Sequence, residues 1–331
     1  MAVKKKYPEY LEQARTFLML PDYFHFLLTG EKRSEYTNAT STQLVNAETK
    51  DWDDEIISRL GYPREMFLPL SQPGTLVGTF TKEIEDEVGF SCQVVLPATH
   101  DTASAVMAVP CQEDHCLYIS SGTWSLMGTE NKKAICTEES RQKNFTNEGG
   151  YDFRYRYLKN IMGLWMIQSV RHEEKDQYSF AQLCEMADEC SDFPSRVLVN
   201  APEFLAPESM TEAVRRYCEK TGQRVPETTG ELAAVIYQSL AKCYGETVGE
   251  IEQLTGEHYD TIHIVGGGAN AGYLNRLTAM QAGRRVLAGP SEATAIGNLM
   301  AQMIGKGEFE GLMQARACVA ESFPICEYTK G

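Results

Sequence analysis

The chain has 331 residues, 43% of them apolar, with a formal net charge of -15 and a pI near 5.0. That is enough polypeptide for two domains with cores of their own. So acidic a surface repels nucleic-acid phosphate and anionic lipid, which excludes both as expected partners. An anionic small molecule stays admissible where backbone N–H groups and a divalent cation offset its charge. The ten cysteines include no C-x-x-C pair and no Cys/His cluster at zinc spacing, so they read as reduced, mostly buried thiols. Lys4-Lys5-Lys6 is followed by Glu9, Glu12 and Arg15, and the run from Phe17 to Leu28 is broken by Pro21, Asp22 and His25. Neither segment serves as an export signal or a membrane span, so a cytoplasmic place is expected.

Residues 1–30 predict helix, with Tyr10, Leu11, Ala14, Phe17 and Leu18 at helical spacing, Pro21 opening a second short helix and Gly30 closing it. Thr37 to Thr42 is a dense hydroxyl patch that reads as a turn or cap. A helix from Asp54 to Leu60 is stopped by Gly61, and Ile84 to Val88 is short and helical. Val94 to Leu96 is an apolar run ending at Pro97, and a polar triplet His100-Asp101-Thr102 precedes the small residues Ala103 to Ala108. This pattern predicts strand, bend and closely packed helix. Asp101 then reads either as the helix N-cap or as a carboxylate aimed into a cleft, placed to take a proton from a hydroxyl.

A boundary falls near Pro110 to His115. Leu117 to Ser120 and Trp124 to Gly128 alternate as two arms of a hairpin around Ser121-Gly122-Thr123. Such a tip is either an ordinary glycine turn or a set of N–H and hydroxyl donors for phosphate oxygens. Tyr151 to Leu158 predicts a strand, and Ile161 to Gln168 a buried helix, with Asn160 as its N-cap and Gln168 as a core amide. Phe180 to Glu189 and Met210 to Thr221 read as helices, with residues 191–210 between them as a loop or flap. The longest helix runs from Thr229 to about Leu254, on a stripe of Leu232, Val235, Ile236, Leu240, Tyr244, Val248 and Ile251. The strand Thr261 to Val265 ends in Gly266-Gly267-Gly268, three glycines where a plain turn needs one. This favours close approach of a ligand at the start of the next helix. It is not G-x-G-x-x-G, so no dinucleotide fold is implied. Ser291 to Asn298 opens a helix of small residues.

The order strand-end Asp, Ser-Gly-Thr hairpin, strand-Gly-Gly-Gly-helix and small-residue helix resembles the FGGY family of carbohydrate kinases. The resemblance rests on Thr99 to Ala105, Ser120 to Gly128, Asn160 to Trp165 and Glu292 to Asn298, with Tyr36 to Thr40 and Lys50-Asp51-Trp52, and is closest to the members that phosphorylate L-rhamnulose. It implies an α/β fold of the actin/hexokinase/Hsp70-like (ribonuclease H-like) type in two domains. Residues 1–112 would be the later half of the N-terminal domain, and 113–331 the C-terminal domain. It also implies ATP and Mg²⁺ as cofactors and a small-molecule sugar as substrate. Asp101 would be the general base, with His100, Thr102 and Asn160 as further sugar contacts. Thr123, Gln168 and Gly266, Gly267 and Gly268 would be ATP contacts. The family's opening strand hairpin with an Asp-x-Gly-x-Ser-Ser-type phosphate loop is not found here, so a separate N-terminal fragment is an expected partner. An exposed apolar face is expected before residue 110. The rival readings are a kinase for another sugar, such as fuculose or xylulose, and a protein that binds nucleotide or sugar without transferring phosphate.

Overall fold

The computed structural model describes residues 2–330. The chain opens with α1 (Ala2–Lys6), α2 (Pro8–Gln13) and α3 (Leu20–Thr29). The expected near-continuous helix breaks at Ala14, whose ψ is 135°, and the Phe17 N–H donates to the Met66 carbonyl at 2.8 Å. The break lets Leu11, Ala14 and Phe17 cover a small core of Ala39, Trp52, Ile57, Met66 and Phe67. Tertiary packing here outweighs helix propensity. Pro21 lies in the first turn of α3, where its missing N–H leaves no bond unmade, and Gly30 (φ 73°) ends the helix. Leu20, Tyr23, Phe24 and Leu27 of α3 are exposed, one apolar stripe at i, i+3, i+4 and i+7.

β1 (Ser34–Glu35) leads into α4 (Tyr36–Ala39) and a tighter turn over Thr40–Thr42. The hydroxyl patch, expected as a turn or cap, is thus a short helix running into a tight turn. The hydroxyls of Thr40, Ser41 and Thr42 donate back to the carbonyls of Thr37, Asn38 and Ala39 at 2.6–2.7 Å. α5 (Asp54–Leu60) is capped by Asp53, which accepts from the Ile56 N–H at 2.9 Å, and ends at Gly61. β2 (Leu70–Ser71) pairs in parallel with β1. β3 (Leu76–Thr79) and β4 (Gln93–Val95) form an antiparallel pair around α6 (Lys82–Val88). From β4 the chain passes Leu96-Pro97-Ala98, bends, and starts α7 (Asp101–Met107).

A seven-stranded sheet of order β11-β10-β9-β5-β6-β8-β7 organises the rest. β5 (Leu117–Ser121) and β6 (Ser125–Asn131) form the predicted hairpin. The helix α8 (Glu138–Gln142) leads to β7 (Thr146–Gly149), which pairs with β8 (Tyr155–Ile161). After α9 (Trp165–Glu173), α10 (Phe180–Glu189), α11 (Met210–Lys220) and α12 (Thr229–Thr255) come β9 (Thr261–Val265), α13 (Gly272–Ala282), β10 (Arg285–Ala288), α14 (Ala293–Gly305), α15 (Leu312–Ser322) and the edge strand β11 (Cys326–Tyr328). β5, β9 and β10 run parallel.

Strand alternation assigns the two faces. Leu117, Ile119, Ile262 and Ile264 enter a core covered by α9 to α13. Tyr118 and Val265 enter a second core covered by α7, α14 and α15. So α7, which precedes the sheet in sequence, packs on it in space. α7 and α14 meet backbone to backbone, since a Cβ placed on Gly297 would run into the Ser104 carbonyl.

Three further expectations are corrected. Ile161 to Gln168 is not one helix. β8 stays paired with β6 through Ile161, Gly163 turns the chain at φ 54°, and α9 starts only at Trp165. Asn160 is therefore a strand residue and caps nothing, because a short apolar run fits strand and helix equally. Tyr151–Phe153 is a tight turn with Asp152 at φ 56°, and the strand begins at Tyr155. Residues 191–210 are no flap, since Phe193, Val197, Val199 and Phe204 are buried in the larger core.

Because Gly297 has no room for a methyl group, Gly297→Ala should destabilise the α7–α14 contact by ~1–3 kcal/mol. A thermal scan should show a lower Tm; an unchanged Tm would mean that the two helices do not meet as described.

Candidate active site

A cleft of about 1250 Å³ lies between the α7 bend, the β5–β6 hairpin tip, the end of β8 and the loop after β9. It exceeds the ~300–1,000 Å³ of a typical single-ligand pocket, and so has room for two ligands side by side.

The bend that carries Asp101 is held from behind by Glu35. This carboxylate is fully buried. It accepts from the Thr37 N–H (2.7 Å) and hydroxyl (2.6 Å), the Asn38 N–H (3.1 Å), and the Thr99 N–H (3.1 Å) and hydroxyl (2.7 Å). The His100 N–H donates to the Thr37 hydroxyl at 3.3 Å. Burial pushes the Glu35 pKa up, while these donors pull it down. Asp22, equally buried, accepts from the Glu35 N–H at 3.2 Å. Its pKa is pushed up to about 7, chiefly by burial and next by the Glu35 charge.

Asp101 is exposed and is the first residue of α7, one position beyond the cap, which is His100. Its Oδ1 accepts from its neighbour Thr102, at 2.6 Å from the N–H and 3.3 Å from the hydroxyl. No bond to Oδ2 occurs among the described residues. The geometry thus disfavours the capping alternative, because a cap would accept from a residue two or three places on. The Asp101 carbonyl accepts from the Thr294 hydroxyl at 3.4 Å, which ties the bend to α14.

His100 is fixed from the sheet. Arg156 on β8 is fully buried, and its Nη2 donates to His100 Nδ1 at 2.7 Å. A guanidinium can only donate, so Nδ1 is an acceptor and the ring proton of the neutral imidazole sits on Nε2. Burial first, and the Arg156 charge second, lower the His100 pKa, against the raising effect of Glu148. Arg156 itself donates to the Gly149 carbonyl at 3.1–3.2 Å and pairs with Glu148 at 3.1 Å.

Of the residues named from sequence, His100, Asp101, Thr102, Thr123, Asn160, Gly266 and Gly267 all line this one cleft. Thr123 is exposed at the hairpin tip, and Asn160 is exposed near the end of β8. The three glycines divide their work. Gly266 (φ 84°) and Gly268 both press against Ser121, so a Cβ on either would collide with it, whereas a Cβ on Gly267 would meet open space. Gly268 and Gln168 are not among the lining residues; Gln168 is half-buried on α9. Sequence reasoning missed Glu35, Glu148 and Arg156. It also missed the loop at Asn200, whose Oδ1 accepts from the Met162 N–H at 3.0 Å and which lines the cleft.

The model of the FGGY carbohydrate kinase N-terminal domain matches residues 3–108, and that of the C-terminal domain matches residues 117–305. The chain belongs to the FGGY family of carbohydrate kinases. Over 327 residues it is 50% identical to a rhamnulokinase of Halalkalibacterium halodurans, covering 99% of this chain and 70% of that protein. It is 48% identical to the rhamnulokinase of Oceanobacillus iheyensis, with the same coverages. Against that of Bacillus subtilis it is 42% identical, covering 97% of this chain and 66% of the relative. The chain thus spans about two thirds of the length of these proteins. Among solved structures, xylulose kinase from Lactobacillus acidophilus superposes with a TM-score of 0.76 at 16% identity, over 99% of this chain and 66% of that one. Plasmodium falciparum glycerol kinase with ADP superposes with a TM-score of 0.73 at 12% identity, over the same shares. These two likenesses establish the α/β FGGY kinase fold.

Two tests follow from this FGGY site. Asp22 has a folded pKa above its unfolded value of 3.8, so the folded state binds the extra proton between about pH 4 and 7. Stability therefore declines as pH rises through that window. Asp22→Asn, which keeps the acceptor and removes the charge, should raise the Tm at pH 8, by up to ~4 kcal/mol of stability, and leave it unchanged at pH 4. For His100, imidazole NMR should show the Nε2–H tautomer and a titration midpoint below that of free histidine. The midpoint should move up in Arg156→Gln; a normal midpoint in the unmodified protein would contradict the Arg156 contact.

Proposed function

We propose that this chain is a rhamnulokinase, transferring the γ-phosphoryl group of ATP to the 1-hydroxyl of L-rhamnulose. The observation that carries the reading is the Asp101 carboxylate, held at the start of α7 with one oxygen free, in a two-ligand cleft opposite the hairpin tip and the glycine loop. The identity of 42–50% to rhamnulokinases over nearly the whole chain supports this sugar over others.

In this reading Asp101 accepts the proton of the attacking hydroxyl as the new O–P bond forms and the bond to ADP breaks. His100 offers its Nε2–H to a sugar oxygen, and Thr102 and Asn160 are further sugar contacts. Thr123 and the Gly266–Gly267 backbone meet the nucleotide phosphates, with Gly268 shaping that turn by packing on Ser121. Gln168 acts from α9 behind the nucleotide side. The cleft carboxylates outside ion pairs, among the described residues, are Asp101 and Glu292, since Glu148 pairs with Arg156 and Glu250 with Lys159. One or two carboxylates plus substrate phosphates are what Mg²⁺ uses, so this donor set fits a magnesium ion carried on the nucleotide. That ion would neutralise phosphate charge. Within the described residues no helix is long and apolar enough to cross a membrane.

The test is ADP release from the 331-residue chain with MgATP across a sugar panel, paired with calorimetric binding of nucleotide and sugar. L-Rhamnulose should be preferred, and Asp101→Asn should lower turnover about 10²–10⁴-fold with nucleotide binding intact. Undiminished turnover in that variant would sink the role of Asp101. Binding of both ligands without turnover would leave recognition standing and remove transfer.

A further inference from the structure

Outside the cleft, three donor side chains converge where the front of the chain joins the main sheet. Cys111 follows α7, Cys116 directly precedes β5, and His263 lies in the middle of β9. Their sulfur and nitrogen atoms lie within 4.8 Å of one another. All three are more than nine-tenths buried, at 4%, 2% and 7% exposure.

This is a costly group to leave in a core. The His263 Nδ1 is buried without a hydrogen-bond partner, and such an orphan typically costs ~1–3 kcal/mol. The nearest buried ion pair has no spare positive charge to offer the two sulfurs. Arg316 is already matched by Glu130 at 2.5 Å and donates to the Val106 carbonyl at 2.8 Å and the Met107 carbonyl at 3.2 Å. The cluster therefore lacks positive charge and a partner for an imidazole nitrogen.

We infer that Cys111, Cys116 and His263 are the ligands of one borderline-soft divalent ion of the Zn²⁺ type. Two thiolates and an imidazole are a common zinc donor set, and the two thiolates neutralise a dication. With Zn–S bonds of about 2.3 Å, tetrahedral ligands stand roughly 3.8 Å apart, so the side chains need to close by about 1 Å at most. The Glu113 carbonyl, 3.9 Å from the Cys111 sulfur, offers an oxygen as the fourth ligand. Binding releases the protons of both thiols as they occur on the free protein. The ion would clip the segment between α7 and β5 to β9. It would thereby fix the strand that precedes Gly266 against the helix that begins at Asp101, without entering the cleft.

The experiment uses the reduced 331-residue chain, loaded with Co²⁺ as the optical probe and with Zn²⁺ for metal analysis after desalting. Expected are one equivalent of metal per chain and a thiolate-to-cobalt charge-transfer band, with a Tm that falls on chelation. Cys111→Ser, Cys116→Ser and His263→Gln should each weaken binding more than ~100-fold. Cys218→Ala, in the core on the other face of the sheet, should bind as the unmodified chain does. The unmodified chain alone decides if a variant fails to fold. Folded protein that takes up no cobalt overturns the inference. So does a band that survives loss of both sulfurs, or a Cys111–Cys116 disulfide that persists under reductant in place of the metal.

Discussion

A buried carboxylate with no cationic partner among the described residues stands at the root of the cleft. Glu35 keeps its oxygens satisfied only by five donors, drawn from α4 on one side and from Thr99 on the other. A buried polar group that loses its hydrogen-bond partners typically costs ~1–3 kcal/mol, so these contacts are kept together. The bend after β4 is therefore not free to relax. Thr99 is pinned, His100 follows through the Thr37 hydroxyl, and Asp101 is delivered at the mouth of α7. In the hydroxyl-rich segment after Glu35, Thr37 and Asn38 supply donors to the carboxylate, while the hydroxyls of Thr40, Ser41 and Thr42 donate back to the segment's own carbonyls.

α7 is gripped at its other end as well. Arg316, buried on α15, donates to the carbonyls of Val106 and Met107, the last residues of α7, while Glu130 on β6 neutralises it. Between the two grips, Ala103, Ala105 and Gly297 let α7 and α14 approach at backbone distance. A helix held at both ends and packed on small side chains has little rotational freedom, which a carboxylate aimed at one hydroxyl requires.

What could be read from sequence was whatever is local. The strand-bend-helix at Asp101, the hairpin around Thr123 and the strand before Gly266 each declare themselves within ten residues. Glu35, Arg156 and His263 do not, because their partners lie far off in sequence: Thr99, His100, and the pair Cys111 and Cys116. A Cys-His set split between a linker and a strand has no spacing signature at all. Asn160 shows a different limit. An apolar run of eight residues suits either period, and only pairing with β6 decides that it ends a strand. Likewise the break after Ala14 follows from a bond to Met66, which no local propensity contains.

His100 joins the two halves of the molecule. Its backbone is held by the front segment through Thr37, and its ring by Arg156 from the main sheet. Further bonds cross the same seam: the Gly149 N–H to the Thr40 hydroxyl at 2.9 Å, the Tyr155 hydroxyl to the Ala47 carbonyl at 2.6 Å, and Lys50 to the Phe153 carbonyl at 2.8 Å. Motion that parts the front segment from β7 and β8 must break these together and strip Arg156 from the imidazole. The seam therefore fixes the ring orientation of the residue beside Asp101 from both halves at once, and the Arg156 donor keeps Nδ1 an acceptor there.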